Sequence, residues 1–446
     1  MSDQPIAAVG AVLAATVLVV LDASIVTVAL PTLAQALRVS PASSILVMTA
    51  YQLALVMALL PCAALGESVG FRKVFIAGVG LFTVASALCA LAPSLPWLVA
   101  ARFVQGLGGA AVMALGVALL RQLVPPGSLG AAIGWNALAV ALASAAGPSI
   151  GALIVSGPGW PWLFALNLPV GAGVLLAGRA LPRREGTGRR LDRISVALNA
   201  GLFAALVASA DLLPHRPGAS LGLFLAAALA LLVLVGREFP KTVPLIPLDL
   251  LRGGPFRISI LASVCCFTGQ AAALLALPFR LQHDLGQSAL LTGLYMTPWP
   301  LAVAVAAPAS GWLSDRVSTA WLCALGGGCM ALGLAGAAFS PADHGAAALL
   351  PYIMLCGLGF GLFQTPNNRN MFLAAPAERS GAAGGLQGTA RVTGQTAGAV
   401  LMTVLFATPS IGAAPPLGLA AAAAFVLLAG LVSLLRVPAP TWPASR

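Results

Sequence analysis

The hydrophobic positions of this chain form long, uninterrupted runs. Residues 74–101, 122–178, 258–279, 285–314, 317–342 and 392–435 contain no Asp, Glu, Lys or Arg. About 18 such residues in a row suffice for a membrane-spanning helix. In hydrocarbon every backbone N–H and C=O must be bonded within the protein, so only helices and closed barrels cross a bilayer. Barrel strands would alternate in polarity over about ten residues, and these runs do not. The pattern predicts an all-α polytopic membrane protein. Pro/Gly clusters and charges mark the loops. They divide the chain into fourteen spans, at 7–30, 43–65, 74–92, 97–120, 129–155, 160–180, 194–213, 218–237, 258–281, 288–311, 319–340, 346–367, 381–406 and 416–436.

Composition agrees with lipid as the solvent. Of 446 residues, 59% are hydrophobic and 8% are charged, against about 25% charged in soluble chains. A net charge of +11 would suggest nucleic acid in a soluble protein, but here its placement points to membrane lipid and topology instead. With the N-terminus in the cytoplasm, eighteen of the 23 Lys and Arg residues fall on the cytoplasmic side, three fall outside, and Arg102 and Arg391 lie within spans. The positive-inside rule therefore predicts both termini in the cytoplasm. The Arg-over-Lys bias, with abundant Ala, Gly and Pro, suggests a GC-rich bacterial genome and hence the bacterial cytoplasmic (inner) membrane. The start of the chain lacks a basic region and a small-residue cleavage site, which predicts no cleaved signal peptide. Seven cysteines without CxxC or metal-ligand spacing predict neither a disulfide framework nor a metal site.

Two segments repeat. Leu65-Gly66-Glu67-Ser68-Val69-Gly70-Phe71-Arg72-Lys73 follows the second span, and Gly311-Trp312-Leu313-Ser314-Asp315-Arg316 follows the tenth. Gly130-Ala131-Ala132 and Gly381-Ala382-Ala383 open the fifth and thirteenth spans. Both offsets are about 250 residues, which predicts parallel homologous halves, a transporter design. Coincidence between Ala/Gly-rich segments is the alternative. The expected organisation is a six-helix bundle at 1–180, a basic cytoplasmic linker at 181–193, two additional transmembrane helices at 194–237, a cytoplasmic loop at 238–257, a second six-helix bundle at 258–436 and a cytoplasmic tail at 437–446. The linker's arginines suit contact with anionic lipid.

Five motifs in order resemble the fourteen-span drug:proton antiporters of the major facilitator superfamily, over nearly the whole chain. They are Leu21-Asp22-Ala23-Ser24-Ile25-Val26-Thr27-Val28-Ala29-Leu30-Pro31, with Thr27 where Asn is usual; residues 63–73, with Ala63, Glu67 and Phe71 departing from the pattern; Arg102-Phe103-Val104-Gln105-Gly106-Leu107-Gly108-Gly109-Ala110; Gly147-Pro148-Ser149-Ile150-Gly151; and Trp160-Pro161-Trp162-Leu163-Phe164-Ala165-Leu166-Asn167-Leu168-Pro169-Val170-Gly171. The ExxER motif of the fourteen-span peptide importers is absent from the first span. The resemblance implies a major facilitator fold and a monomer. It also implies proton-coupled efflux of amphipathic drugs or toxic small molecules by alternating access, with the proton gradient in place of any cofactor. An exporter of one endogenous metabolite, such as a sugar, amino acid or self-made antibiotic, is the alternative. An integral-membrane enzyme is a remote one, because His215, His283 and His344 lie far apart and no nucleophile–base pair is visible.

Few residues can carry chemistry. Asp22 is the one carboxylate in a predicted span core, where a charge costs about 2.5–3.5 kcal/mol on insertion scales. A carboxylate that alternates between neutral and charged forms could exchange a proton for substrate. Capping or an interhelical hydrogen bond is the structural alternative. Arg102 either snorkels to an interface or pairs with Asp22, and the resemblance implies a part in proton transfer. Gln105, one turn on, would share that network. Arg391, flanked by Gln387 and Gln395, marks a polar helix face. It would either favour anionic or zwitterionic substrate in a water-filled cavity or make a structural interhelix bond. Asn136, Gln364, Asn367, Met296 and Trp299 are further candidate cavity residues. Glu67 with Arg72, and Asp315 with Arg316, are either solvated loop charges or a cytoplasmic gate worth about 1 kcal/mol per exposed pair. Gly147, Pro148 and Gly151 can serve as a hinge or simply permit close helix packing.

Overall fold

The computed structural model describes residues 3–125, 129–183, 185–188, 191–213, 216–239, 248–314, 316–341, 343, 345–374, 380–407 and 413–436. These residues form helices and connecting turns, with no strand among them. In order the helices are α1 (Asp3–Ala36), α2 (Pro41–Val69), α3 (Phe71–Ala90), α4 (Leu95–Leu123), α5 (Leu129–Ser156), α6 (Trp162–Ala165), α7 (Asn167–Ala177), α8 (Arg193–Leu212), α9 (Pro217–Glu238), α10 (Leu248–Leu251), α11 (Gly254–Phe279), α12 (Ala289–Met296), α13 (Pro298–Leu313), α14 (Thr319–Phe339), α15 (Leu350–Ala374), α16 (Ser380–Phe406) and α17 (Ala414–Leu434).

Eleven helical stretches among the described residues are long and apolar enough to cross a membrane. The chain is thus an all-α, multi-pass membrane protein. Of the remaining segments expected to span, 194–213 and 129–155 coincide with α8 and α5, whose apolar described parts are the shorter Arg193–Ser209 and Leu142–Ser156. The third, 381–406, coincides with α16, which carries Gln387, Arg391 and Gln395. Two expected spans each run through two helical segments joined by a residue with helical dihedrals. The sixth is α6 and α7, meeting at Leu166, and the tenth is α12 and α13, meeting at Thr297 where Pro298 enters. A π-helical turn, Arg280–Asp284, extends α11 just after Pro278.

Packing follows small residues rather than long amphipathic stripes. Lipid is as apolar as Leu, so close van der Waals contact and polar links hold helices together in a membrane. α4 packs against α2 and α3, α1 against α5, α14 against α15 and α17, α11 against α16 and α17, and α13 against α15. Contacts that join elements distant in sequence include α2 with α16, and α5 with α12. At the second, Ser149 Oγ and Thr297 Oγ1 lie 2.6 Å apart.

Helix prolines leave carbonyls without their usual donor, and neighbouring helices supply replacements. Pro148 cannot donate to the Ser144 carbonyl one turn earlier, and Ser24 Oγ of α1 donates to it at 3.2 Å. Pro61 likewise frees the Met57 carbonyl, which accepts from Asn199 Nδ2 of α8 at 2.9 Å. These bonds tie α5 to α1 and α8 to α2. Ser24→Ala should therefore cost about 1 kcal/mol, the typical net worth of one buried hydrogen bond. Thermal unfolding of the purified protein in detergent checks this. An unchanged midpoint would mean that the Ser144 carbonyl is satisfied elsewhere.

Candidate functional site

Asp22 lies in the middle of α1, about fourteen residues or roughly 21 Å from the helix end, with no exposed surface. Arg102 of α4 is equally buried. Close approach of α2 to α4 sets its position. Gly106 lies so near the Tyr51 carbonyl that a Cβ there would collide with backbone. Arg102 Nη1 donates to Asp22 Oδ2 at 2.5 Å and lies 2.6 Å from Gln105 Oε1. Its Nε donates to the Val47 carbonyl at 3.3 Å. The guanidinium stacks 4.2 Å from the Tyr51 ring centroid and 5.6 Å from that of Phe164. Snorkelling is excluded, because every contact holds the charge inward.

The second carboxylate oxygen is also occupied. Asp22 Oδ1 accepts from Gln105 Nε2 at 3.0 Å and from Asn167 Nδ2 at 2.7 Å. Both amides also reach Ser86 Oγ, at 2.8 and 3.3 Å, and Ser86 passes its own hydrogen to the Phe82 carbonyl at 2.8 Å. Four helices, α1, α3, α4 and α7, thus converge on one carboxylate. Every donor addresses an ionised Asp22. A proton on either oxygen would stand where Arg102 or an amide now donates. Capping does not describe such a group.

Other expected residues fall elsewhere. Gln105 belongs to the Asp22 network, not to an open cavity. Asn367 has partners of its own. It is 1% exposed and donates to the Ser259 carbonyl and to Ser263 Oγ at 3.1 and 2.8 Å. It also accepts from Arg436 at 2.9 Å, so it ties α15 to α11 and the end of α17. Met296 and Trp299 are buried within the main apolar core. Gln364, Gln387 and Gln395 are half-buried, as is Asn136, whose Oδ1 has no partner.

The pair expected between Glu67 and Arg72 is not formed. Arg72 instead donates to the Gly178 and Arg179 carbonyls, at 3.3 and 3.5 Å, just beyond α7. Helix-end carbonyls lack intrahelical donors and attract a cation. The Glu67 carbonyl accepts from the Thr187 amide at 2.8 Å. Arg316 stacks on Trp312 at 3.5 Å, and Asp315 lies outside the described residues. At the expected hinge, α5 is continuous through Pro148. A Cβ on Gly147 would collide with Ser24, and one on Gly151 would meet the Ile25 carbonyl at 2.6 Å. Here these glycines serve close packing of α5 on α1.

Sequence reasoning did not assign roles to Ser86, Tyr51 or Asn167. Polar residues inside apolar spans were the available signal, but only tertiary packing brings these three to Asp22 and Arg102. Arg391 makes no hydrogen bond or ion pair among the described residues, and its Nε is without partner or accessible surface.

Comparison with known proteins supplies the context. The family model of the Major Facilitator Superfamily matches residues 12–399 and, in a second match, 270–444. The chain is 44% identical over 429 residues to the uncharacterized transporter YebQ of Escherichia coli K12, covering 94% of this chain and 93% of that protein. It is 33% identical to the tetracenomycin C resistance and export protein of Streptomyces glaucescens, covering 89% and 75% respectively. It is 34% identical to the multidrug resistance protein Stp of Mycobacterium tuberculosis, covering 87% and 74%.

Proposed function

Because the chain belongs to the major facilitator superfamily, and is a transporter rather than an enzyme, we propose that it is a proton-coupled efflux antiporter. It exports amphipathic small molecules across the bacterial cytoplasmic membrane by alternating access. The observation that carries this is the Asp22 centre. Ionisable side chains inside a membrane are costly and mark ion or proton pathways. Asp22 is the carboxylate of this chain placed there, and its partners can release it only when its charge is cancelled. The relatives whose names concern export or multidrug resistance support the outward direction.

In this proposal the chain crosses fourteen times with both ends in the cytoplasm, as six, two and six spans, and works as a monomer. Asp22 takes the proton and Arg102 is the partner released. The proton gradient is the energy source. Substrate binds between the halves, at the level of Asp22 and Arg391.

The test is a substrate screen in a strain lacking its main exporters, measuring accumulation with and without a proton uncoupler. The expected result is lower accumulation of several chemically different amphipathic compounds, restored by the uncoupler. Export that persists after the gradient is collapsed would overturn the coupling. Export of a single compound would favour the endogenous-metabolite alternative.

A further inference from the structure

The charges inside the membrane do not balance. Asp22 and Arg102 neutralise each other. Arg391 adds a second cation, and no carboxylate pairs with it among the described residues. It sits on α16 eleven residues from the first residue of that helix, roughly 17 Å along the axis. That is too deep for a lipid headgroup to reach easily. The residue is half-buried, and its Nε faces protein without a partner.

A second unsatisfied group lies on a helix that packs against α16. Tyr51 of α2 is 1% exposed, and its hydroxyl has no hydrogen-bond partner. The two side chains are within electrostatic reach of each other across the α2–α16 contact. Val392, next to Arg391, is buried in the same apolar cluster as Tyr51 and Leu55, which fixes this level of α16 against α2. The face of the Tyr51 ring is already taken by Arg102. Its hydroxyl lies against Gly109 of α4 and Val19 of α1.

Buried polar groups without partners are rare and call for an explanation. An unpaired guanidinium and an unpaired hydroxyl on two helices that pack together are both donors, and an acceptor that carries negative charge satisfies both. We propose that Arg391 and Tyr51 bind an anionic oxygen acid of the transported substrate, a carboxylate in the first instance. The guanidinium fork matches a carboxylate in two parallel bonds. The substrate class is then amphipathic anions or zwitterions, not simple organic cations. This rests on the reading of the chain as an exporter whose substrate binds between α2 and α16.

Binding of fluorescein, an aromatic carboxylate, is measured by fluorescence anisotropy with the purified full chain in phosphatidylcholine nanodiscs, where no anionic lipid competes. A rhodamine ester, the related cation, is the comparison. The intact protein is expected to bind fluorescein at least about 10-fold more tightly than the rhodamine ester. Arg391→Gln should weaken fluorescein binding at least about 10-fold. Arg391→Lys, which keeps the charge and loses the fork, should retain part of it. Tyr51→Phe should weaken it a few-fold without weakening the cation. If Arg391→Gln fails to purify as a monodisperse protein, Arg391→Lys and Tyr51→Phe decide.

No fluorescein binding, or binding that all three substitutions leave unchanged, overturns the proposal. A protein that exports the rhodamine ester in exchange for protons without binding fluorescein refutes this inference and leaves the coupling intact. Arg391-dependent binding without proton exchange does the reverse.

Discussion

Asp22→Asn is expected to reduce proton-coupled export to background, and to destabilise the protein as well. The first effect follows because asparagine cannot take up a proton in the relevant range. The second follows from the geometry. Arg102 Nη1 lies 2.5 Å from Asp22 Oδ2 with both side chains fully buried. Removing one partner of a buried ion pair strands the other, at a cost of about 3–5 kcal/mol. Lost transport in the single variant could then reflect lost folding. Asp22→Asn/Arg102→Gln separates the two effects, because it removes the stranded charge and leaves amides able to bond Gln105 and Asn167. Groups in one network are not additive. The double variant should regain much of the stability lost by Asp22→Asn, by thermal unfolding in detergent, and remain inactive in export. Full export by either variant would refute the role given to Asp22.

The second large effect concerns membrane potential. If an anion leaves as one proton enters, two elementary charges move in the same electrical sense. Each is worth about 2.3 kcal/mol per 100 mV, so together they contribute about 4.6 kcal/mol per 100 mV, more than a thousandfold in the attainable gradient. A monovalent cation exchanged for one proton would move no net charge. In proteoliposomes with equal pH on both sides, a potassium–valinomycin potential negative on the cytoplasmic face should drive fluorescein export. Abolishing the potential should stop it. Fluorescein transport that ignores the potential would show electroneutral exchange and contradict the charge assignment of Arg391.

Much of the architecture was legible in the apolar runs. Eleven of the expected spans coincide with described helices long and apolar enough to cross a membrane, because a backbone in lipid has no other bonding partners. Asp22 stood out as a lone core carboxylate, and its pairing with Arg102 was one of two expectations. The other members of its network, Ser86 and Asn167, are two polar residues among many in apolar spans, and nothing local distinguishes them. Asn367 shows the opposite failure. As a polar residue in a span it suggested a cavity, whereas Ser259, Ser263 and Arg436 already satisfy it.

The sequence by itself determined the solvent, the helical class and the rare charges within it, because each follows from the cost of placing polar groups in hydrocarbon. Tertiary structure alone decided which of those charges are paid for. Asp22 and Arg102 meet where α1 and α4 pack, and Arg391 has no acidic partner among the described residues. The balance of charge at the centre of the molecule depends on which helix faces which, and no local pattern encodes it.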